Sequence, residues 1–214
     1  MSVYDWLDKR LDLRPGLAKM LDHPVPTWVN WLYCFGGITF FFFVLQAITG
    51  IFLMLYYVPS PDHAYESVQY ITNTVHFGKI IRGMHHWTAT LIVVTVVIHM
   101  LRVFWHGAYK APRELNWVAG VCLFLLTMGF GFTGYLLPWD QKAYWATAVG
   151  TNIAGSVPVV GSFLLKLARG GTDLGAVTLV RFFDVHVALL PLFMVIFLAG
   201  HFFMIRRQGI SRPY

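Results

Sequence analysis

The sequence predicts an all-α integral membrane protein, a four-helix bundle with short surface helices. Composition is the first reason: 57% of the 214 residues are hydrophobic and only 12% are charged, with a mean hydropathy of +0.60. A soluble domain carries about a quarter charged residues. The second reason is that residues 23–61, 83–101, 115–139 and 185–205 contain no Lys, Arg, Asp or Glu. Each of these runs can supply the ~20 apolar residues that cross a bilayer. Third, histidines recur inside two of the runs at helical spacing. Lipid offers the backbone no water to bond, so spans of this kind are helices.

In chain order, residues 1–22 carry Asp5, Lys9, Arg10, Asp12, Arg14, Lys19 and Asp22, which is not the pattern of a signal peptide. Trp6, Leu7, Leu11, Leu13 and Leu17 can form one apolar face, so a helix lying on the membrane surface is expected within an N-terminal interfacial segment, 1–30. The transmembrane domain, 31–214, should hold spans A (32–57), B (80–105), C (115–137) and D (178–206). Pro59 and Pro61 close span A, and "GAYKAPRELN" turns between B and C. The uncharged stretch 143–165 is broken by Gly150, Gly155, Pro158 and Gly161, and is expected as short surface helices rather than a fifth span. Four spans put ten of the sixteen Lys and Arg on the side of both termini, which places those termini in the cytoplasm. Cys34 and Cys122 make no disulfide framework. The net charge of +6 suits a membrane surface, with no nucleic-acid role.

His85 and His99 are 14 residues apart in B, close to four helical turns, so they share a face at a separation of ~21 Å. His186 and His201 repeat the pattern in D, 15 apart. B and D run the same way if the spans alternate, so His85 lies level with His186, and His99 with His201. Two imidazoles approaching from opposite sides suit the axial positions of a haem iron. Zinc would want about four ligands, and no carboxylate or thiol accompanies either pair. Gly36 and Gly50 in A, and Gly120 and Gly134 in C, are also 14 apart, and glycine lets a macrocycle approach the helix backbone. Small-residue helix packing is the competing explanation for such glycines. The extra residue in D has a candidate cause in Pro191, whose missing amide donor would widen or kink the helix and bring His201 back into line. His86 lies about 100° around the helix from His85 and cannot bind the same iron. His23, His63, His76 and His106 fall in loops or at helix ends.

These residues, with "VYDWLDKRLDL", "YCFGGITF", "RGMHHW", "YKAPRELNWV", "GFTGYLLPWDQ", "TLVRFFDVHV" and "HFFMIRRQGIS", resemble cytochrome b6, the four-helix half of a split cytochrome b, over essentially the whole chain. The resemblance implies two haems b. His85 and His186 would bind the outer one and His99 and His201 the inner one, with Arg82 near the outer haem's propionates and Arg206 near the inner haem and quinone region. It also implies a c-type haem held covalently by Cys34, which from sequence alone reads as an inert buried thiol. The implied activity is bifurcated quinol oxidation within a quinol–cytochrome c or plastocyanin oxidoreductase. One electron goes to a Rieske iron–sulfur protein and the other crosses the membrane to an inner quinone, with protons released outside.

Tyr135, Pro138 and Trp139 are candidate walls of the outer quinol pocket, and Asp140 is expected chiefly as a helix cap. The "PEWY" motif of the family is absent here. No catalytic residue is therefore assigned to this chain alone, and the implied partners are a three-helix subunit carrying that motif, the Rieske protein and a c-type cytochrome, in a dimeric complex. "RGMHHW" and "GAYKAPRELNW" resemble the menaquinol-using complexes of Gram-positive bacteria, which favours menaquinone. Two other readings compete: a dihaem membrane anchor of a different oxidoreductase, and a transporter with a histidine proton relay.

Overall fold

The computed structural model describes residues 2–11 and 25–212, and among these there is no strand. The chain divides into two units, one ending at Trp31 and the other starting at Leu32. The first contains helix α1 (Val3–Leu11). Arg10 reaches back along it, donating to the Trp6 carbonyl at 3.1 Å and lying 4.0 Å over the Trp6 ring. The remainder of the expected surface segment, residues 12–24, lies outside the described residues.

The second unit contains four helices long and apolar enough to cross a membrane. Span A is a 3-10 turn (Trp31–Cys34) running into α2 (Phe35–Met54). After α3 (Ala64–Asn73), span B is α4 (Gly78–Trp105) and span C is α5 (Glu114–Leu136). The stretch 143–165 forms a hairpin of α6 (Gln141–Gly155) and α7 (Gly161–Arg169). Span D comprises α8 (Ala176–Asp184), a π-helical turn (Val185–Leu189) and α9 (Leu190–Gln208). A packs chiefly on B, and C on D. The shortest span has 23 residues, or ~35 Å of helix, which exceeds the ~30 Å hydrocarbon thickness.

The bundle is apolar outside, and inside it threonines sit among apolar side chains such as Ile92, Val96 and Leu123. Phe41, Ile51, Leu125 and Val195 are exposed, whereas Thr49, Thr88, Thr95, Thr127 and Thr133 are buried. Thr95 and Thr127 each donate to the carbonyl four residues back, so no hydroxyl proton is left for lipid to solvate.

Two details differ from expectation. Span A stops at Met54 rather than residue 57, and the freed Tyr57 donates its hydroxyl to the Leu137 carbonyl at 2.8 Å, at the end of α5. Burial among Leu136, Leu179 and Phe182 pushes this phenol's pKa up. The irregularity in D lies just before Pro191, and the five-residue π turn contains His186 itself. Pro191 cannot donate to the carbonyl four residues back, and the wider turn accommodates that loss. One residue is absorbed there, so a spacing of 15 does the work of 14.

The opposite end of the bundle is tied by reciprocal bonds. Arg113 Nη2 donates to the Gln208 carbonyl at 3.0 Å and Gln208 Nε2 donates to the Pro112 carbonyl at 2.8 Å. These bonds fasten the B–C turn to the last turn of D and satisfy one of its orphan carbonyls.

Candidate haem-binding sites

The structure brings the His85 ring on α4 and the His186 ring on the π turn together, with centroids 6.5 Å apart and planes inclined at 65°. Two nitrogen–metal bonds of about 2 Å and two imidazole radii of about 1 Å span roughly 6 Å. A single metal ion between the two rings is therefore sterically accommodated. His99 on α4 and His201 on α9 lie within electrostatic reach of each other. Among the described residues, no group of three His, Cys, Asp or Glu could share a metal ion.

Threonines orient the first pair. Thr49 Oγ1 donates to the Leu45 carbonyl at 2.7 Å and lies 2.9 Å from His85 Nδ1. Thr133 Oγ1 donates to the Gly129 carbonyl at 2.8 Å and lies 3.0 Å from His186 Nδ1. A hydroxyl has one proton. With that proton given to its own helix, each threonine accepts from Nδ1–H, and Nε2 keeps the lone pair a metal needs. Gln46 adds a bond from its Nε2 to the His85 carbonyl at 2.8 Å. The second pair has no such threonines, because Phe35 and Ala119 stand at the equivalent places before Gly36 and Gly120.

Each glycine faces its own histidine. A Cβ on Gly134 would come within 2.6 Å of His186 Cε1, and one on Gly36 within 2.9 Å of His99 Cε1. On Gly50 it would meet His85 Cε1 at 3.3 Å, and on Gly120 His201 Cε1 at 3.6 Å. The space expected for a macrocycle is, in this structure, space for the imidazole itself.

Beyond the histidines, orphaned polar atoms collect at the end of the bundle where A and C begin and B and D finish. Tyr33 OH, Arg102 Nε, Arg113 Nε, Asn116 Oδ1 and Gln208 Oε1 are buried there without a hydrogen-bond partner. The Arg102 guanidinium lies 3.5 Å over the Tyr33 ring, and Tyr33 meets His106 edge-on at 5.8 Å. Buried guanidinium donors of this kind suit the carboxylates of a haem. Sequence reasoning passed over Arg102 and Arg113, and the visible signal was an arginine three residues beyond His99.

The other expected residues are scattered. Arg82 is half-buried one turn before His85, and Arg206 is exposed in the last turn of α9. Cys34 ends the 3-10 turn as a free, exposed thiol, which corrects the expectation that it is buried. His86 is exposed beside Trp87. Trp139, with a left-handed φ of 51°, borders an open cavity of about 530 Å³ together with Tyr65, Asp140, Gln141 and Lys142. Tyr135 and Pro138 do not line that cavity, and Tyr135 is exposed. Asp140 caps α6, accepting from the Ala143 amide at 2.8 Å.

Residues 20–209 match the family model described as cytochrome b/b6/petB. The chain is 52% identical to the menaquinol:cytochrome c reductase cytochrome b subunit of Geobacillus thermodenitrificans, over 99% of this chain and 98% of that protein. It is 50% identical to cytochrome b6 of Heliobacterium mobile, over 98% and 99% respectively. A solved chain of a hyperthermophilic respiratory Complex III superimposes with a TM-score of 0.92 at 32% identity, covering 99% of this chain. This chain spans 56% of that one's length. With paired histidines on B and D, each backed by a glycine of A or C, and a family match over most of its length, the chain belongs to the cytochrome b/b6 family.

Proposed function

We infer that this chain is the transmembrane electron-transfer subunit of a quinol–cytochrome c oxidoreductase. It takes electrons from an outer quinol-oxidation site to an inner quinone-reduction site while protons are released outside. The observation that carries this reading is the His85/His186 pair at 6.5 Å, with both Nδ1 atoms engaged by threonines and both Nε2 atoms free to bind a metal. Haem b held in each layer would supply one-electron transfer.

The chain's own residues do the rest. His85 and His186 hold the outer group, His99 and His201 the inner one. The four glycines keep the rings close to helices A and C. Arg102 and Arg113 offer buried donors to the inner group's carboxylates, and Arg82 stands one turn from His85 for the outer group's. Apolar walls exclude water around both layers, so charge moves between them without a competing solvent path.

The exposed Cys34 thiol, two residues before Gly36, is available for a covalent c-type haem beside the inner layer, and Arg206, five residues after His201, is assigned to the same end. The relative named as a menaquinol:cytochrome c reductase favours menaquinone. A three-helix subunit carrying "PEWY", a Rieske protein and a c-type cytochrome complete the dimeric complex. The open cavity beside Trp139 supports an outer quinol pocket there, whose walls Tyr135 and Pro138 do not line in this structure. Helix α1 belongs to an interfacial segment, and both termini lie in the cytoplasm.

A redox spectrum and an alkaline pyridine haem assay on the purified protein, followed by haem staining after denaturing electrophoresis, test this. Two extractable b haems and one stained band are expected. Two haems without a band remove Cys34's role, and a colourless folded protein returns the histidines to proton relay.

A further inference from the structure

Arg169 is a buried cation with no part in the chemistry above. It ends α7 with 8% exposure, and donates four hydrogen bonds, all to neutral oxygens. Nε reaches Thr151 Oγ1 at 2.8 Å, and Nη1 the Thr172 carbonyl at 2.8 Å. Nη2 reaches both the Ala148 carbonyl at 3.0 Å and Asn152 Oδ1 at 2.8 Å. Its own carbonyl accepts from Thr178 Oγ1 at 2.7 Å, at the start of α8. Burying a guanidinium without a carboxylate is costly, so the fork must be matched by what it organises.

What it organises is visible in the neighbouring packing. Its three acceptors on α6 bracket Gly150, where a Cβ would meet Phe132 Cε2 at 2.6 Å. The Phe132 ring therefore lies directly on the α6 backbone. Phe132, which stays 41% exposed, also meets Phe182 of α8, with centroids 5.5 Å apart and planes tilted at 56°. Both surfaces that touch Phe132, α6 at Gly150 and α8 at Phe182, are thus tied to one guanidinium and its carbonyl. The next residue, Thr133, is the one that accepts from His186 Nδ1.

We propose that Arg169 is a positioning residue for the outer histidine layer: it pins the α6–α7 hairpin to α8 and, through the contacts both make with Phe132, fixes the Thr133–His186 hydrogen bond. The pin also sets the hairpin wall of the outer quinol pocket. That last consequence rests on the quinol reading above, whereas the pin itself does not.

Arg169→Gln and Arg169→Lys in the assembled complex test it, read by backbone hydrogen exchange. Both variants should speed exchange on the order of tenfold in the hairpin and also in residues 130–136 of α5. Lysine should not rescue, because a planar fork rather than a charge spans the four acceptors. Acceleration confined to the hairpin overturns the proposal. In haem-loaded protein the outer low-field electron paramagnetic resonance signal should shift while the inner one stays, and a shift of neither or both overturns it as well. If Arg169→Gln does not assemble, Thr151→Val removes one acceptor and should move the same readouts in the same direction by less. The quinol KM separates the two readings: a moved outer signal with an unchanged KM keeps the pin and removes the hairpin from the quinol wall.

Discussion

At the scale of single residues, the four glycines act as a graded ruler, and the grading makes a prediction. A methyl group at Gly134 or Gly36 would press to within 3 Å of an imidazole, whereas at Gly120 it would sit at ordinary contact distance and at Gly50 between the two. Overpacking of this kind costs about 1–3 kcal/mol, and here it pushes a metal ligand off its axis. Gly134→Ala should therefore lose the outer haem and Gly36→Ala the inner one, Gly50→Ala should weaken the outer haem, and Gly120→Ala should keep both. Haem content resolved by redox titration reads the series. Equal damage at Gly120 and Gly134 would mean that the glycines serve the macrocycle rather than the ring. The histidines and glycines were legible in the sequence because a period of 14 survives any uncertainty in helix ends. Thr49 and Thr133 were not, although each directly precedes a glycine of the ruler, because a membrane threonine bonded to its own helix looks the same whether or not an imidazole also meets it. Arg169 was invisible for a different reason: its acceptors are backbone carbonyls and neutral side chains, three on α6 and one in the turn after α7.

At the scale of elements, all four spans were legible from uncharged length, and their ends shifted by only a few residues. The local geometry of D was legible in kind but not in place. A proline between two histidines announces a fault, but which residues absorb it depends on the carbonyl left without a donor, and that put the π turn on His186 rather than at Pro191. If the π turn absorbs one residue, then deleting Ala188 together with Pro191→Ala should yield a regular helix with a spacing of 14, and both haems should bind. Deleting Val195 in a chain that keeps Pro191 leaves the π turn in place and rotates His201 by about 100°, so the inner haem should be lost. Retention of both haems in both deletions would show that D re-registers freely and that the π turn has no such role. The hairpin of α6 and α7 belongs to this scale too. Its glycines signalled interruption, and Gly161 shows why small residues are needed there, since a Cβ would run into the Gly155 carbonyl.

At the scale of the whole molecule, two paired-histidine layers ~21 Å apart share the same four helices but almost none of the same side chains. The outer layer draws on Thr49, Gly50, His85, Thr133, Gly134 and His186, and the inner on Gly36, His99, Gly120 and His201. Residues this far apart with no common partner contribute nearly independently, so losing one layer should leave the other standing. The inner end is also fastened without its histidines, through Arg113, Gln208 and Pro112, which keeps B, C and D together when the inner site is emptied. His99→Ala should accordingly retain the outer haem at its unchanged midpoint potential, lose the inner one, and halve the reducible b-type absorbance. Electron delivery to the inner quinone should fall to a residual rate, because the outer layer then has no acceptor across the membrane. Two haems with unchanged reduction spectra would break the pairing of His99 with His201. Loss of both would show that the bundle folds around its haems as one unit, and that the independence of the layers holds only after assembly.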